Sequence, residues 1–233
     1  MENLTKIEFS EQIRMNITTE NLPSNFENEI VENYETISIR CNLKSMDDIN
    51  EWVKEFGNST NTKWNVRKSC PSGKRFVCWK NFVCQHSSFI KVPAINNKKG
   101  ISKNAECPAS IMVKIKLNTT RMRKEDDFLR RGLTGIVTII PFHKHSLTSA
   151  EILRFLPAED CREQFEDYFG DGMRPAEAAK YHKGILEMKS DFQLSDLANS
   201  RINPLLRTIE YWYEKWRLLH LGSRNGPNMI EEG

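Results

Sequence analysis

No run of apolar residues in this chain approaches the roughly 20 that a membrane-spanning helix needs, so no membrane span is expected. Signatures of several enzyme classes are missing too. There is no glycine-rich phosphate cradle, no Gly-x-Ser-x-Gly and no His-Glu-x-x-His. The first residues carry no charged start followed by an apolar stretch, so no secretory signal is visible. A chain kept in a reducing compartment holds its cysteines as thiols for metal or catalysis rather than as disulfides. Histidine is scarce, with five in 233 residues, and two of the five fall in one triplet.

That triplet is His143-Lys-His145, and it follows Cys84-Gln-His86 and Glu106-Cys107-Pro-Ala in the chain. Two thiolates and two imidazoles match the tetrahedral preference of Zn2+, and four protein ligands make a site structural rather than catalytic. The gaps between the ligands are much longer than in a finger folded on one helix, so the ligands are expected on different strands of a sheet. Strand periodicity agrees. Ala109, Ile111, Val113, Ile115 and Leu117 alternate with Pro108, Ser110, Met112, Lys114 and Lys116, an apolar face against a partly basic one. The β-branched run from Thr134 to Phe142 leads into His143, and residues two apart on a strand share a face, which lets His143 and His145 reach one ion. A further strand, from Lys74, ends at Cys84. Cys78 has the same parity as Cys84 on that strand and rivals it as the first ligand.

Net charge is +3 overall, but it is unevenly spread. Residues 1–60 hold 5 Lys and Arg against 12 Asp and Glu, and residues 61–145 hold 18 against 4. Residues 146–233 hold 11 against 15. A concentrated basic segment is the electrostatic footprint of a nucleic-acid binder.

Phe82-Val-Cys84, Glu106-Cys-Pro-Ala109 and His143-Lys-His145 resemble the zinc-bearing sheet of WRKY, glial-cells-missing, FLYWCH and far-red-impaired-response proteins, which Mutator-like transposases share. Cys84-Gln-His86 and the tail after His145 are similar to the animal, transposon-derived branch of that group. The resemblance covers roughly residues 62 to 190. It implies Cys84, Cys107, His143 and His145 as the zinc ligands, leaving Cys78 out. His86, two residues past Cys84, is a competing ligand candidate and is read as a surface or outer-shell residue. It also implies that the strand Lys63-Trp-Asn-Val-Arg67-Lys68 enters the major groove of duplex DNA, where Arg or Lys bonds guanine. The expected contact set is Arg67, Lys68, Lys74, Arg75 and Lys80. Arg67 and Lys68 fall on opposite faces of a regular strand, so at most one of the two reads bases directly. Basic loops over 91–105 and 118–131 are placed to touch phosphates.

The expected architecture is α+β: a four-stranded antiparallel zinc-bound sheet followed by a small helical domain. Residues 1–45, acidic and irregular, read as a mostly disordered arm. Residues 46–145 form the zinc module and open with a helix over 46–57, capped by Asp47 or Asp48 and stopped at Gly57. Residues 146–220 are helical, with Pro175 in the first turn of one helix, and they pack their own core. Leu205, Ile209, Trp212, Trp216 and Leu219 line one stripe of the last helix, which is core or a docking face for a protein partner. Residues 221–233 read as a linker or tail. The function expected is zinc-dependent binding of double-stranded DNA in the nucleus, by a transposase DNA-binding region or a domesticated derivative. No small-molecule substrate and no catalysis are expected. The alternative is a protein–protein adaptor.

Overall fold

The structure is a computed structural model that describes residues 12–88 and 103–222. It is α+β, and it divides after Leu147 into two compact units.

The first unit is built on a six-stranded antiparallel sheet, not the four-stranded one expected. Its strands are β2 (Asn28–Asn33), β3 (Ile37–Cys41), β4 (Trp64–Cys70), β5 (Phe76–Cys84), β6 (Ser110–Lys116) and β7 (Gly135–Ile140), in the order β2-β3-β7-β6-β5-β4. Two further short strands, β1 (Ile13–Arg14) and β8 (Phe142–His143), pair separately. The acidic arm expected over 1–45 therefore supplies three strands, and residues 1–11 lie outside the described residues. The physical reason is alternation. Ile37, Ile39 and Cys41 put every second side chain into the core, where all three are fully buried. They pair with Ile139, Val137 and Gly135. Gly135 is required there, because a Cβ on it would stand 2.8 Å from Cys41 Sγ.

Helix α1 (Met46–Ser59) covers one sheet face with Ile49, Trp52, Val53 and Phe56. Trp52 stacks on Phe56 at 5.2 Å between centroids, and its indole N–H donates to Asn28 Oδ1 at 2.8 Å. Full burial of side chains this size contributes roughly 1.5–3 kcal/mol each. The helix starts at Met46 as expected, but its cap lies two residues before Asp47, the nearer of the acidic caps expected. Ser45 is the N-cap, accepting from the Asp48 N–H, while Asp48 accepts from the Ser45 N–H in a capping box. Gly57 does not stop the helix. It is buried where the chain returns, with the Thr62 carbonyl 2.8 Å from where its Cβ would be.

The expected loop over 118–131 holds two short helices, α2 (Thr120–Glu125) and α3 (Asp127–Arg130). At their junction Asp126 accepts from Arg40 on β3 and from Lys116 on β6, the latter at 2.6 Å, which ties both strands to the helices. The Arg40 guanidinium also lies 4.5 Å from the Phe128 ring centroid.

The second unit is helical: α4 (Ala150–Leu153), α5 (Arg162–Gly170), α6 (Pro175–Glu187), α7 (Leu194–Ala198) and α8 (Leu206–Leu221). Phe165, Tyr168, Phe169, Ala178, Ile209 and Trp212 form its core. Gly172, at φ +88, makes the turn between α5 and α6 that favours glycine. The α8 stripe is buried at Ile209 and Trp212 and ends in the open at Leu219. No helix among the described residues is long and apolar enough to cross a membrane.

Candidate metal centre

Four ligand-bearing residues converge from three segments. Cys84 is the last residue of β5, Cys107 sits in the loop just before β6, and His143 closes β8 with His145 two residues on. Their ligand atoms lie within 4.8 Å of one another. Cys84 Sγ is 3.2 Å from His145 Nε2, Cys107 Sγ is 3.4 Å from His143 Nδ1, and the two imidazole nitrogens are 3.2 Å apart. Four-coordinate bonds of about 2.3 Å to sulfur and about 2.0 Å to nitrogen place tetrahedral ligand atoms about 3.3–3.8 Å apart. The cluster is thus close enough to hold one metal ion. Cys84, Cys107 and His143 are buried and His145 is partly so.

Cys78 is not part of this cluster. It faces the hydrophobic core opposite Ile115, and burial pushes its thiol up, as it does for the Cys41 thiol, raised to about 12. Distance along the strand resolves what parity left open. Five residues of β5, Trp79 to Val83, separate the core thiol from the candidate ligand thiol, about 20 Å at about 3.3 Å per residue.

The sheet positions the ligands differently from the expected single strand. Pro141 has no N–H to continue the β7 ladder, and the chain leaves the main sheet there. His143 instead pairs with Ile13 on β1, and the Met15 N–H donates to the Pro141 carbonyl at 2.8 Å. N-terminal residues that sequence reasoning left outside the module therefore hold the histidine arm in place.

The imidazole tautomers follow from their hydrogen bonds. His145 Nδ1–H donates to the Ser146 carbonyl at 2.7 Å, which leaves the Nε2 lone pair for the ion. His143 turns Nδ1 to the cluster, while its Nε2 is buried with no hydrogen-bond partner among the described residues. The Trp64 ring, one of the core aromatics, meets His143 edge-on at 5.9 Å. The hydrogen bond between the two thiols pulls Cys107 well below an ordinary thiol, with His143 and His145 adding to the effect, and the same bond together with burial drives Cys84 up. Burial works against a charge on His145, but the Cys107 thiolate and the Ser146 carbonyl outweigh it and raise its pKa.

His86 is buried rather than at the surface. Its N–H approaches Cys84 Sγ at 3.5 Å, and its ring lies 4.4 Å from that of His145.

The basic residues divide into two groups. Arg67, Lys68, Lys74 and Arg75 are exposed on edge strand β4 and at the tip of the β4–β5 hairpin. Lys80 is separate. It pairs with buried Val113 on the face covered by α1, and it donates to Asn50 of that helix. Lys68 pairs with Asn81, which pairs with exposed Met112 on the opposite face. Lys68 and Lys80 therefore point to opposite sides of the sheet, since directly paired residues share a face. A bulge between Val66 and Lys68 breaks the alternation assumed for Arg67 and Lys68. At the other edge of the sheet, β2 and its flanks carry Glu27, Glu29, Glu32 and Glu35, so one edge is acidic and the other basic. Arginines of the 118–131 segment are largely satisfied by neighbours: Arg130 by Asp127, Arg131 by Glu29, and Arg121 by Glu125. Most of the other basic loop, residues 91–102, lies outside the described residues.

No family model, no curated protein and no solved structure matches the chain.

Proposed function

We propose that the chain binds duplex DNA through the basic edge of a zinc-stabilised sheet. Zinc is the ion the donor set favours, since soft thiolates and imidazoles in four-coordinate geometry select it over oxygen-loving cations. Four protein ligands close the coordination sphere, so the ion holds the fold rather than activating water. When bound it supplies folding free energy at the root of β4 and β5.

The observation that carries the reading is the charge division across the sheet. Arg67, Lys68, Lys74 and Arg75 stand exposed on one edge and its hairpin tip, with the glutamates at the far edge. The major groove admits a β-ribbon, and an edge strand with a protruding hairpin presents one. The acidic edge then faces away from the phosphates. A nuclear role, as a transposase DNA-binding region or a derivative of one, fits this activity and the motif resemblance. The test is a titration of zinc-loaded full-length protein against duplex DNA at several salt concentrations. Binding is expected to fall steeply with salt; salt-independent or absent binding overturns the reading.

The adaptor reading draws on α8, where Leu218 and Leu219 are 55% and 78% exposed. In that case the stripe over 205–219 would engage a protein partner, and a pull-down lost in Leu219→Glu would show it.

A further inference from the structure

Cys107, like His145, lies outside the regular strands. It lies outside the ladder of β6, at the end of a long excursion from β5, and the residue before it, Glu106, holds a left-handed φ of +52. Side chains other than glycine visit that region at a cost, so something must hold the loop there.

His86 is what holds it. Its carbonyl accepts the N–H of Ala105 at 2.8 Å and that of Cys107 at 3.2 Å. The left-handed Glu106 between them is what lets both N–H groups turn to one oxygen. The His86 imidazole Nδ1–H donates to the Lys103 carbonyl at 2.7 Å. Its backbone N–H approaches Cys84 Sγ and its ring packs on His145. One residue thus touches all three ligand segments, at Cys84, Cys107 and His145, and it is 2% exposed.

We propose that His86 is the positioning residue of the metal centre: through its Nδ1–H bond to Lys103 it holds the 103–107 loop so that Cys107 meets the ion. The inference rests on the metal-centre reading above. The two backbone contacts survive any side-chain substitution, so the imidazole's share can be separated from them. An Asn places an N–H donor near the position of Nδ1; a Phe keeps a ring against His145 but has no donor.

The experiment is a titration of full-length protein with Co2+, followed by competition with Zn2+, for wild type and for His86→Asn, His86→Phe and His86→Ala. Wild type is expected to bind one ion with a thiolate-to-cobalt charge-transfer band of two-sulfur intensity. His86→Phe and His86→Ala are expected to bind about 10–100-fold more weakly, the loss typical when a residue supporting a ligand is removed. Their charge-transfer band per bound ion should drop toward the one-sulfur level, which loss of general stability alone would not cause. His86→Asn should recover most of the affinity and the full band. If wild type binds with two-sulfur intensity and His86→Phe matches it in affinity and spectrum, the positioning role is wrong while the centre stands. If wild type itself binds no metal, the metal-centre reading fails and the positioning role with it.

Discussion

Trp64 pairs directly with Cys84 across the β4–β5 ladder. The first residue of the basic edge strand is thereby tied to a candidate metal ligand, and the Trp64 ring leans on a second one, His143. From that root the hairpin runs eight residues to Phe76, about 26 Å at about 3.3 Å per residue. The candidate metal centre and the basic tip are at opposite ends of one hairpin.

That relationship predicts how metal loss propagates. Cys84→Ser should abolish stoichiometric zinc and loosen β4 and β5, because structural zinc contributes folding free energy outright. Cys78→Ser should keep its zinc and cost only about 1–3 kcal/mol, the penalty of a hydroxyl placed in an apolar core. Zinc content by elemental analysis, with thermal unfolding of both variants, checks this. Unchanged zinc in Cys84→Ser would remove Cys84 from the centre. Acid should release the metal as well, since thiolates and neutral imidazoles must protonate.

Much of this candidate centre was legible in the sequence because its ligands are chemically distinctive and lie at or within three residues of strand ends. Strands β4 to β7 and helices α1, α6 and α8 follow from periodicity. What composition hid was β2 and β3. Glutamates crowd residues 27–35, and that polarity masked the alternation of Ile37, Ile39 and Cys41, which a count of every second residue would have found. Nor could sequence show that Pro141 sends His143 to pair with Ile13, that Ser146 fixes the His145 tautomer, or that Lys80 belongs to the α1 face. These depend on which distant segment occupies the neighbouring place, and local pattern carries no such information.

The Arg40–Asp126–Lys116 group gives a prediction about acid. Burial works against the Asp126 carboxylate, but hydrogen bonds from Lys116 and Arg40 hold its pKa down to about 2, below the ordinary value near 4. A depressed carboxylate stabilises the fold above its unfolded pKa. That contribution is lost as pH falls from about 4 toward 2, because the unfolded chain then binds the proton first. Asp126→Asn should destabilise the first unit by about 1–3 kcal/mol at neutral pH and flatten the stability curve in that window. Urea midpoints between pH 2 and pH 7 measure both effects. Parallel curves for wild type and variant would show that the cluster contributes no pH dependence.

The helical unit should respond at a higher pH. His182 is buried, its Nε2–H donates to the Ile202 carbonyl at 2.8 Å, and Tyr168 Oη lies 3.5 Å from Nδ1. Burial lowers its pKa, and the Ile202 carbonyl only partly offsets this. The folded state therefore favours the neutral ring. Its stability is full above the unfolded value of about 6.5 and declines as pH falls through the lowered folded pKa. Hydrogen exchange in α5 and α8, corrected for intrinsic rates, should show protection falling as pH drops below about 6.5. In His182→Gln, whose amide can still donate to Ile202 but does not titrate, the decline should vanish. An equal decline in both proteins would assign the effect to another group.

The proposed DNA contact can be tested residue by residue along the basic edge. Arg67, Lys68, Lys74 and Arg75 are exposed on β4 and its hairpin tip, while Lys80 donates to Asn50 on the face covered by α1. Alanine at Lys80 should leave DNA affinity within about twofold of the parent, a difference of about 0.4 kcal/mol where tenfold is about 1.4. The four edge residues should behave otherwise. A side chain that contacts only phosphate should, when removed, weaken preferred and scrambled duplexes alike and reduce the log–log salt slope by about 0.9. One that reaches a base edge should cost roughly 1–3 kcal/mol on the preferred site and little on scrambled DNA. Arg67 is the strongest candidate for the second behaviour, because the bulge beside it turns the strand and re-aims its side chain. The measurement must use at least residues 1–147. A fragment that begins at residue 61 would strip β3 from β7 and β1 from His143, and its failure to bind would say nothing about the edge. If Lys80→Ala loses affinity while all four edge variants bind like the parent, the α1-covered side of the sheet is the contact surface and the proposed orientation is reversed.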